Sequence, residues 1–290
     1  MRMRRSLLFM PGNNPAMLLA GNLFEADGVI LDLEDAVAPT EKDAARILVA
    51  QALKTIDYGT CEKVVRVNPL DTYGLEDIPF IAKCAPDTLL IPKVESGADI
   101  KKVTELLDGQ GAVANNIKLI ALLETPRGIA NAYEIAGASS RLVALALGAE
   151  DYTAFLGAKR TKSGEEIFAA RMAIVNAAAA FSLQSIDTPF TDAADDEGLV
   201  EDTRLAKALG FKGKLSINPR QIEGIHAVFN PTLEDINWAR KVVNALEQAK
   251  NAGLGVASLG GKMIDAPVAN RANIVLDLAL RAGLISKEDL

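Results

Sequence analysis

Histidine is almost missing from this chain: His226 is the single one in 290 residues. That scarcity nearly excludes a serine–histidine triad, a histidine base and a histidine-rich zinc site. Cysteine is scarce too. Cys61 and Cys84 have no metal-ligand spacing and cannot form a disulfide framework, which fits a reducing cytoplasm. Excess positive charge is also lacking. With 31 Lys and Arg against 38 Asp and Glu the formal net charge is −7, so neither nucleic acid nor an anionic membrane surface is expected as a partner. No apolar run approaches the length of a membrane span. The basic start MRMRR is followed by only five apolar residues, 7–11, too few for the core of an export signal. Any catalysis therefore falls to carboxylates, arginine, lysine and a metal.

What the sequence does have is a repeated pattern. Short apolar runs occur at 6–10, 28–33, 63–67, 88–91, 117–125, 142–147, 184–186 and 214–217. Helix-like segments lie between many of them, near 15–25, 40–56, 97–108, 126–138, 163–182, 196–209 and 219–228, with Thr40 expected to cap the second. Continuous apolar runs of this length are the mark of parallel strands buried on both faces. Eight strand-plus-helix units match a (β/α)8 TIM barrel over residues 1–229. A doubly wound sheet is the competing fold, but Pro11-Gly12-Asn13-Asn14 is not its glycine-rich phosphate turn.

Polar residues collect on one side of this alternation. Glu34, Asp35, Arg66, Asn68, Lys93, Glu124, Glu150, Asp151, Asp187 and Asn218 each follow an apolar run, so a barrel is expected to gather them at its C-terminal mouth. The runs ending in Glu124 (IKLIALLET) and in Asp151 (LVALALGAEDY) are consecutive. As neighbouring strands they deliver two hard oxygen ligands to one edge, a pattern that suits Mg²⁺. Each acid taken singly is better read as a helix cap or a surface charge; the pair is not.

Sixty-one residues (290 − 229) remain after the barrel. They read as an amphipathic helix over 232–252 with Trp238 on its apolar face, a glycine-rich stretch over 253–261, and a last helix to about 282. Residues 230–290 are thus either helices carrying a lid over the mouth, hinged at the glycines, or a helical pair on the barrel wall.

Several longer stretches resemble one family. RRSLLFMPG (4–12), DLEDAV (32–37), VVRVN (64–68), ALGAEDY (146–152), GFKGKLSINPRQI (210–222) and GKMIDAPV (261–268) are together similar to the citrate lyase β-subunit family, within the citrate lyase β/malyl-CoA lyase group. The resemblance implies a (β/α)8 barrel that cleaves a 3-hydroxyacyl thioester. It implies Mg²⁺ on a Glu and an Asp, matched here by Glu124 and Asp151, with Glu124 also facing substrate. It further implies a substrate-binding, catalytic arginine at Arg66. An acid/base aspartate, on a segment that reaches a neighbouring subunit's mouth, corresponds to Asp265; the plainer alternative is that Asp265 caps the last helix ahead of Pro267.

On the same resemblance the expected activity is Mg²⁺-dependent cleavage of a citryl thioester, on an acyl carrier or CoA, to oxaloacetate and acetyl thioester. The expected partners are an α (acyltransferase) and a γ (acyl-carrier) subunit, with a homo-oligomer, trimer or hexamer, of the chain itself. A stand-alone malyl- or citramalyl-CoA lyase or related synthase is the alternative, and a non-catalytic barrel subunit a further one. Lys93 is a candidate for a substrate carboxylate, or else a solvated strand-end lysine. Arg4 and Arg5 are candidates for the phosphates of a CoA-like pantetheine carrier, or else a surface feature. Asp32 and Asp35 are expected either to support the site from behind its ligands or to pair with an arginine.

Overall fold

The computed structural model describes residues 2–251 and 256–289. Eight parallel strands close into a barrel in strict sequence order: β1 (Ser6–Pro11), β2 (Gly28–Asp32), β3 (Glu62–Arg66), β4 (Thr88–Ile91), β5 (Lys118–Leu123), β6 (Leu142–Leu147), β7 (Gln184–Asp187) and β8 (Gly213–Ser216). β1 pairs with both β2 and β8, which closes the ring. Around it run α1 (Pro15–Ala20), α2 (Lys42–Thr55), α3 (Gly74–Ala82), α4 (Gly97–Asp108), α5 (Pro126–Ala130), α6 (Ala132–Ala136), α7 (Ala149–Leu156), α8 (Phe168–Ala180), α9 (Asp196–Leu209) and α10 (Gln221–Phe229). The (β/α)8 barrel expected from the apolar runs is the fold found.

Alternation along each strand sorts side chains into two cores. Leu7, Ile30, Val64, Leu90, Ile120 and Leu215 point inward and pack with one another. Their strand neighbours, Leu8, Leu31, Val65, Leu89, Leu119 and Leu145 among them, pack outward with the helices. The same parity fixes the polar ends. Two residues beyond Ile30, Val64 and Leu122, the interior positions are Asp32, Arg66 and Glu124.

Parity also removes some residues from the expected ring. Ile186 faces the interior, so Asp187 faces out, where it is fully buried with Arg171 and Lys214. Asn68 is spent on Asp77, and the Asn218 carboxamide oxygen accepts from the Arg220 amide.

The helices differ from expectation in detail. α3 is an extra helix whose pattern is hidden by Pro79 inside it. The segment 126–138 divides into α5 and α6 at Asn131, and α8 is entered through a 3-10 turn, Glu165–Ile167. Thr40 lies in another 3-10 turn, Pro39–Glu41, so it is not the cap of α2.

The chain divides into two compact units, Arg4–His226 and Ala227–Leu290 with Met1–Met3. Within the second, α11 (Leu233–Asn251) and α12 (Ala266–Arg281) pack through Ile236, Ala239, Val242, Ala272, Leu276 and Ala279. Trp238, expected on the apolar face, is 39% exposed. β9 (Ala257–Leu259) and β10 (Lys262–Ile264) form an antiparallel hairpin. Its two-residue turn, Gly260-Gly261, has φ of 58° and 77°, which only glycine adopts freely. Gly253, Leu254 and Gly255 of the expected hinge, with Ala252 before them, lie outside the described residues. Among the described residues no helix is long and apolar enough to cross a membrane.

Candidate active site

The C-terminal ends of the barrel strands surround a pocket of about 520 Å³. Its lining mixes apolar groups, Phe9, Met17, Leu122, Pro189, Leu215 and Ile217, with the charged Asp32, Asp35, Arg66, Glu124, Glu150 and Asp151. An apolar cleft with a few convergent charges is the ordinary form of a small-molecule site.

Arg66 is the most constrained of these groups. Asp32 is its register partner on the neighbouring strand, and the two form a fork-to-fork pair, Nε to Oδ1 at 2.7 Å and Nη2 to Oδ2 at 2.6 Å. Nη1 lies 3.0 Å from Glu34 Oε2 and donates to Asp35 Oδ2 at 3.2 Å. The guanidinium also stacks 4.6 Å above the Phe9 ring, a cation–π contact. Burial works against its charge, but the bond to Asp32 and the charges of Asp32, Glu34 and Asp35 outweigh it and raise its pKa.

Glu124 is 3% exposed, at the end of β5. Its Oε1 accepts from the Lys93 amide at 2.8 Å, and Lys93 adopts φ of 51° to aim that N–H, a left-handed conformation uncommon for a residue with a side chain. Gly148 faces it from β6; a Cβ there would fall 2.5 Å from Glu124 Oε2. Burial, reinforced by the charges of Glu34 and Asp151, pushes the Glu124 carboxyl up to about 8. Asp151 enters the same pocket from the first turn of α7. Its Oδ2 lies 3.9 Å from Lys93 Nζ, which lies 3.6 Å from Glu34 Oε1. Burial lowers the Lys93 pKa, and the Glu34, Asp151 and Glu124 carboxylates more than reverse this.

Glu34 is the group that sequence reasoning left unremarked beyond its place at a strand end. It is 4% exposed, and neither carboxylate oxygen accepts a hydrogen bond despite the nearby cations. Burial pushes its carboxyl up to about 7 against the pull of Arg66. Glu150 also lines the pocket, and its carboxylate accepts from Arg160 Nε at 3.0 Å.

The structure brings Arg66, Lys93, Glu124 and Asp151 together. It does not bring Arg4 and Arg5 to the mouth. Both precede β1 and so lie at the opposite, N-terminal end of the barrel. Arg4 is clamped by Glu62 at 2.6 and 2.7 Å and donates to Gln184; Arg5 pairs with Asp27. Their expected phosphate contacts are corrected accordingly: the guanidinium donors are committed to buried internal acceptors. Asp265 belongs to the C-terminal unit, where its carboxylate accepts from the Val268 amide and caps α12. His226 is beside Ser6, with Nε2 2.7 Å from Ser6 Oγ and 3.8 Å from Asp27 Oδ1. Because one nitrogen faces both groups, this is not the relay of a triad, in which the two nitrogens have separate partners.

The chain was compared with known proteins. It is 45% identical to the citrate lyase subunit beta of Haemophilus influenzae over 96% of this chain and 98% of that one. It is 44% identical to the citrate lyase subunit beta of Leuconostoc mesenteroides subsp. cremoris over 99% and 97%. Among solved structures it is similar to the protein CitE of Mycobacterium tuberculosis in complex with magnesium, acetoacetate and coenzyme A. That match has a TM-score of 0.77 and 34% identity, covering 96% of this chain and 98% of that one. The model of the HpcH/HpaI aldolase/citrate lyase family matches residues 5–219, the barrel almost from end to end, and the chain belongs to that family.

Proposed function

We propose that this chain is a Mg²⁺-dependent carbon–carbon lyase that cleaves a citryl thioester to oxaloacetate and acetyl thioester. The observation that carries the reading is the pairing of Glu124 and Asp151 with the forked Arg66 in one half-apolar pocket.

Mg²⁺ fits the donors. Among the described residues no group of three or more His, Cys, Asp or Glu side chains converges as a cage. Magnesium needs none, since it binds through one or two carboxylates and takes its remaining oxygens from water and substrate. Glu124 is a buried carboxylate pushed up to about 8, so a cation beside it would favour its ionised form, and Gly148 adds no side chain against its Oε2. Glu124 and Asp151 would hold the ion, which would supply Lewis-acid stabilisation of the substrate oxygens.

The protein's own groups do the rest. Cleavage breaks the bond between the carbinol carbon and the thioester α-carbon; the hydroxyl loses its proton and the acetyl fragment leaves as an enolate. Arg66, oriented by Asp32, presents donors to the oxygen on which that charge develops. Lys93 stands where a substrate carboxylate is held. The pocket's apolar groups exclude water from the enolate until it is protonated at carbon. We assign that last proton to Asp265 of a neighbouring subunit in a homo-oligomer, trimer or hexamer; the support is the family resemblance of GKMIDAPV. The citrate lyase relatives are named as subunits, and we place this chain beside an acyltransferase (α) and an acyl-carrier (γ) subunit. Cytoplasmic residence agrees with a chain that has only two cysteines, Cys61 and Cys84.

The test is turnover of citryl-, malyl- and citramalyl-CoA in parallel by the purified chain, with and without Mg²⁺. Citryl cleavage is expected to dominate and to vanish in E124A and D151A, both of which fold. Preference for malyl- or citramalyl-CoA would overturn the substrate; equal activity in E124A would overturn the site. Mixing D265A with R66A chains is expected to restore activity, because some mixed mouths hold both residues intact. No recovery despite subunit exchange would refute the shared site.

A further inference from the structure

Lys42 stands where a lysine is electrostatically out of place. It is in the first turn of α2, where the helix dipole disfavours a cation. It is also buried, 9% exposed, and burial lowers its pKa against the pull of Asp32, Glu34 and Asp35. Its ammonium donates to two backbone carbonyls, Leu33 O at 2.8 Å and Glu34 O at 2.6 Å. Those carbonyls belong to the turn after β2 that holds three acids in four residues. The inner side of that turn is pinned by Asp32, whose carboxylate accepts from the amides of Glu34 and Ala36 while gripping Arg66. Two further backbone bonds hold the turn, the Leu33 amide to Arg66 O and the Val37 amide to the Glu34 carbonyl, and among the described residues Lys42 is the charged side chain that bonds its carbonyls.

We infer that Lys42 is a positioning residue for the reaction, clamping the 32–36 turn from outside so that its three carboxylates stay gathered around Arg66. A cation is needed there because acids crowded into one turn repel each other, and a neutral donor would hold the carbonyls without offsetting that repulsion. Lys42 touches neither substrate nor Arg66; it acts through the turn. This role in catalysis rests on the proposed lyase reading, but the geometry it claims is measurable without substrate.

The experiment follows the Arg66 Nε–H in ¹⁵N-arginine-labelled protein, assigned by its loss in R66K, together with kcat and KM for citryl-CoA. In the wild type this proton is expected to exchange slowly, held by Asp32. In K42M exchange is expected to accelerate and kcat to fall by about 10- to 100-fold, the usual cost of losing a group that orients a site's ligands, with Mg²⁺ affinity unchanged. K42C treated with 2-bromoethylamine regains an ammonium at lysine length, and both readings are expected to return; treated wild type is the control for Cys61 and Cys84. A folded K42M with a protected Arg66 Nε–H and full kcat overturns the inference. So does loss of thermal stability alone, with both readings intact. Should K42M not fold, K42Q decides by the same readings, since it keeps a donor and loses the charge. If Arg66 loosens as stated but the wild type cleaves no thioester, the positioning role of Lys42 in the turn stands and the lyase reading fails.

Discussion

The two ends of the barrel are built by the same strand alternation and end in opposite electrostatic states. At the N-terminal end, Arg4 meets Glu62, Gln184 and, through Glu62, Thr88. Arg5 meets Asp27, and the Ser6 hydroxyl meets His226. Each charge there faces its opposite at hydrogen-bonding distance. At the C-terminal end, Asp32, Glu34, Asp35, Glu124 and Asp151 face Arg66 and Lys93. Burial and mutual repulsion hold two of those carboxyls at about 7 and 8, and Glu34 has no hydrogen-bond donor. A matched polar layer closes a barrel; an acid-rich one is incomplete until something cationic arrives. Perturbed groups clustered in a cleft mark function rather than stability.

The largest effect separating the ends is expected from Arg4→Met. It strands the buried Glu62 carboxylate, and breaking a buried pair by removing one partner costs about 3–5 kcal/mol. Urea unfolding reads the loss, while kcat of the folded fraction stays at the wild-type value. Replacing Glu62 by Met as well is expected to return most of the stability. A fall in kcat with unfolding free energy unchanged would place Arg4 in the chemistry after all.

Next in size is a pH effect at the same end. Burial, and then the Arg5 charge, lower His226 from its ordinary 6.5 to about 4, against the pull of Asp27. The folded state thus favours the neutral ring. Its contribution is whole above pH 6.5, is lost as pH falls from 6.5 toward 4, and is flat below that. The full swing is about 3 kcal/mol. H226Q removes this titration, so between pH 7 and pH 4 its unfolding free energy is expected to fall by less than the wild type's. Parallel curves for the two proteins would sink the assignment.

How much of this contrast was legible in the sequence depends on strand parity. The barrel itself was plain, because eight apolar runs of strand length leave little else to build. Glu124, Asp151, Arg66 and Lys93 were legible as strand-end groups. Asp187 was not separable from them, since a parallel strand buried on both faces is apolar at every position and hides its phase. Only the structure shows that Ile186 faces in and Asp187 out. Arg4 and Arg5 misled for a related reason: a cation at a strand start looks the same whether it meets solvent or Glu62. Lys42 carried a signal that was available, a basic residue in a helix's first turn. The Gly260-Gly261 hairpin, too, was marked by two glycines between short alternating runs.

At the mouth, Arg66→Lys keeps the charge and discards the fork. One ammonium cannot span both Asp32 oxygens and still face substrate, nor stack on Phe9 as a plane. kcat/KM for citryl-CoA is expected to fall at least about tenfold, or ~1.4 kcal/mol. A smaller loss would mean that Arg66 supplies charge alone, and the mouth would then differ from the N-terminal end in net charge without differing in geometry.

The smallest effect is expected from Asp35→Asn, and it dissects the mouth itself. Three carboxylates surround Arg66, but they are not equivalent: Asp32 and Glu34 are buried, whereas the Asp35 side chain is 62% exposed. A solvated ion pair contributes at most about 1 kcal/mol, so unfolding free energy is expected to change by no more than that. With Asp32 still forked onto Nε and Nη2, the guanidinium keeps its orientation, and the Arg66 Nε–H is expected to remain protected. Asp35 does, however, occupy a donor on Nη1 that a substrate carboxylate or enolate oxygen would use. Removing its charge leaves only a neutral amide oxygen to compete for that donor, and KM for citryl-CoA is expected to fall slightly while kcat holds. If kcat instead drops by more than about tenfold while stability and the Nε–H signal stay put, Asp35 acts on the substrate directly. The exposed acid of the mouth would then be a reacting group, and burial would no longer divide the residues that hold Arg66 from those that work beside it.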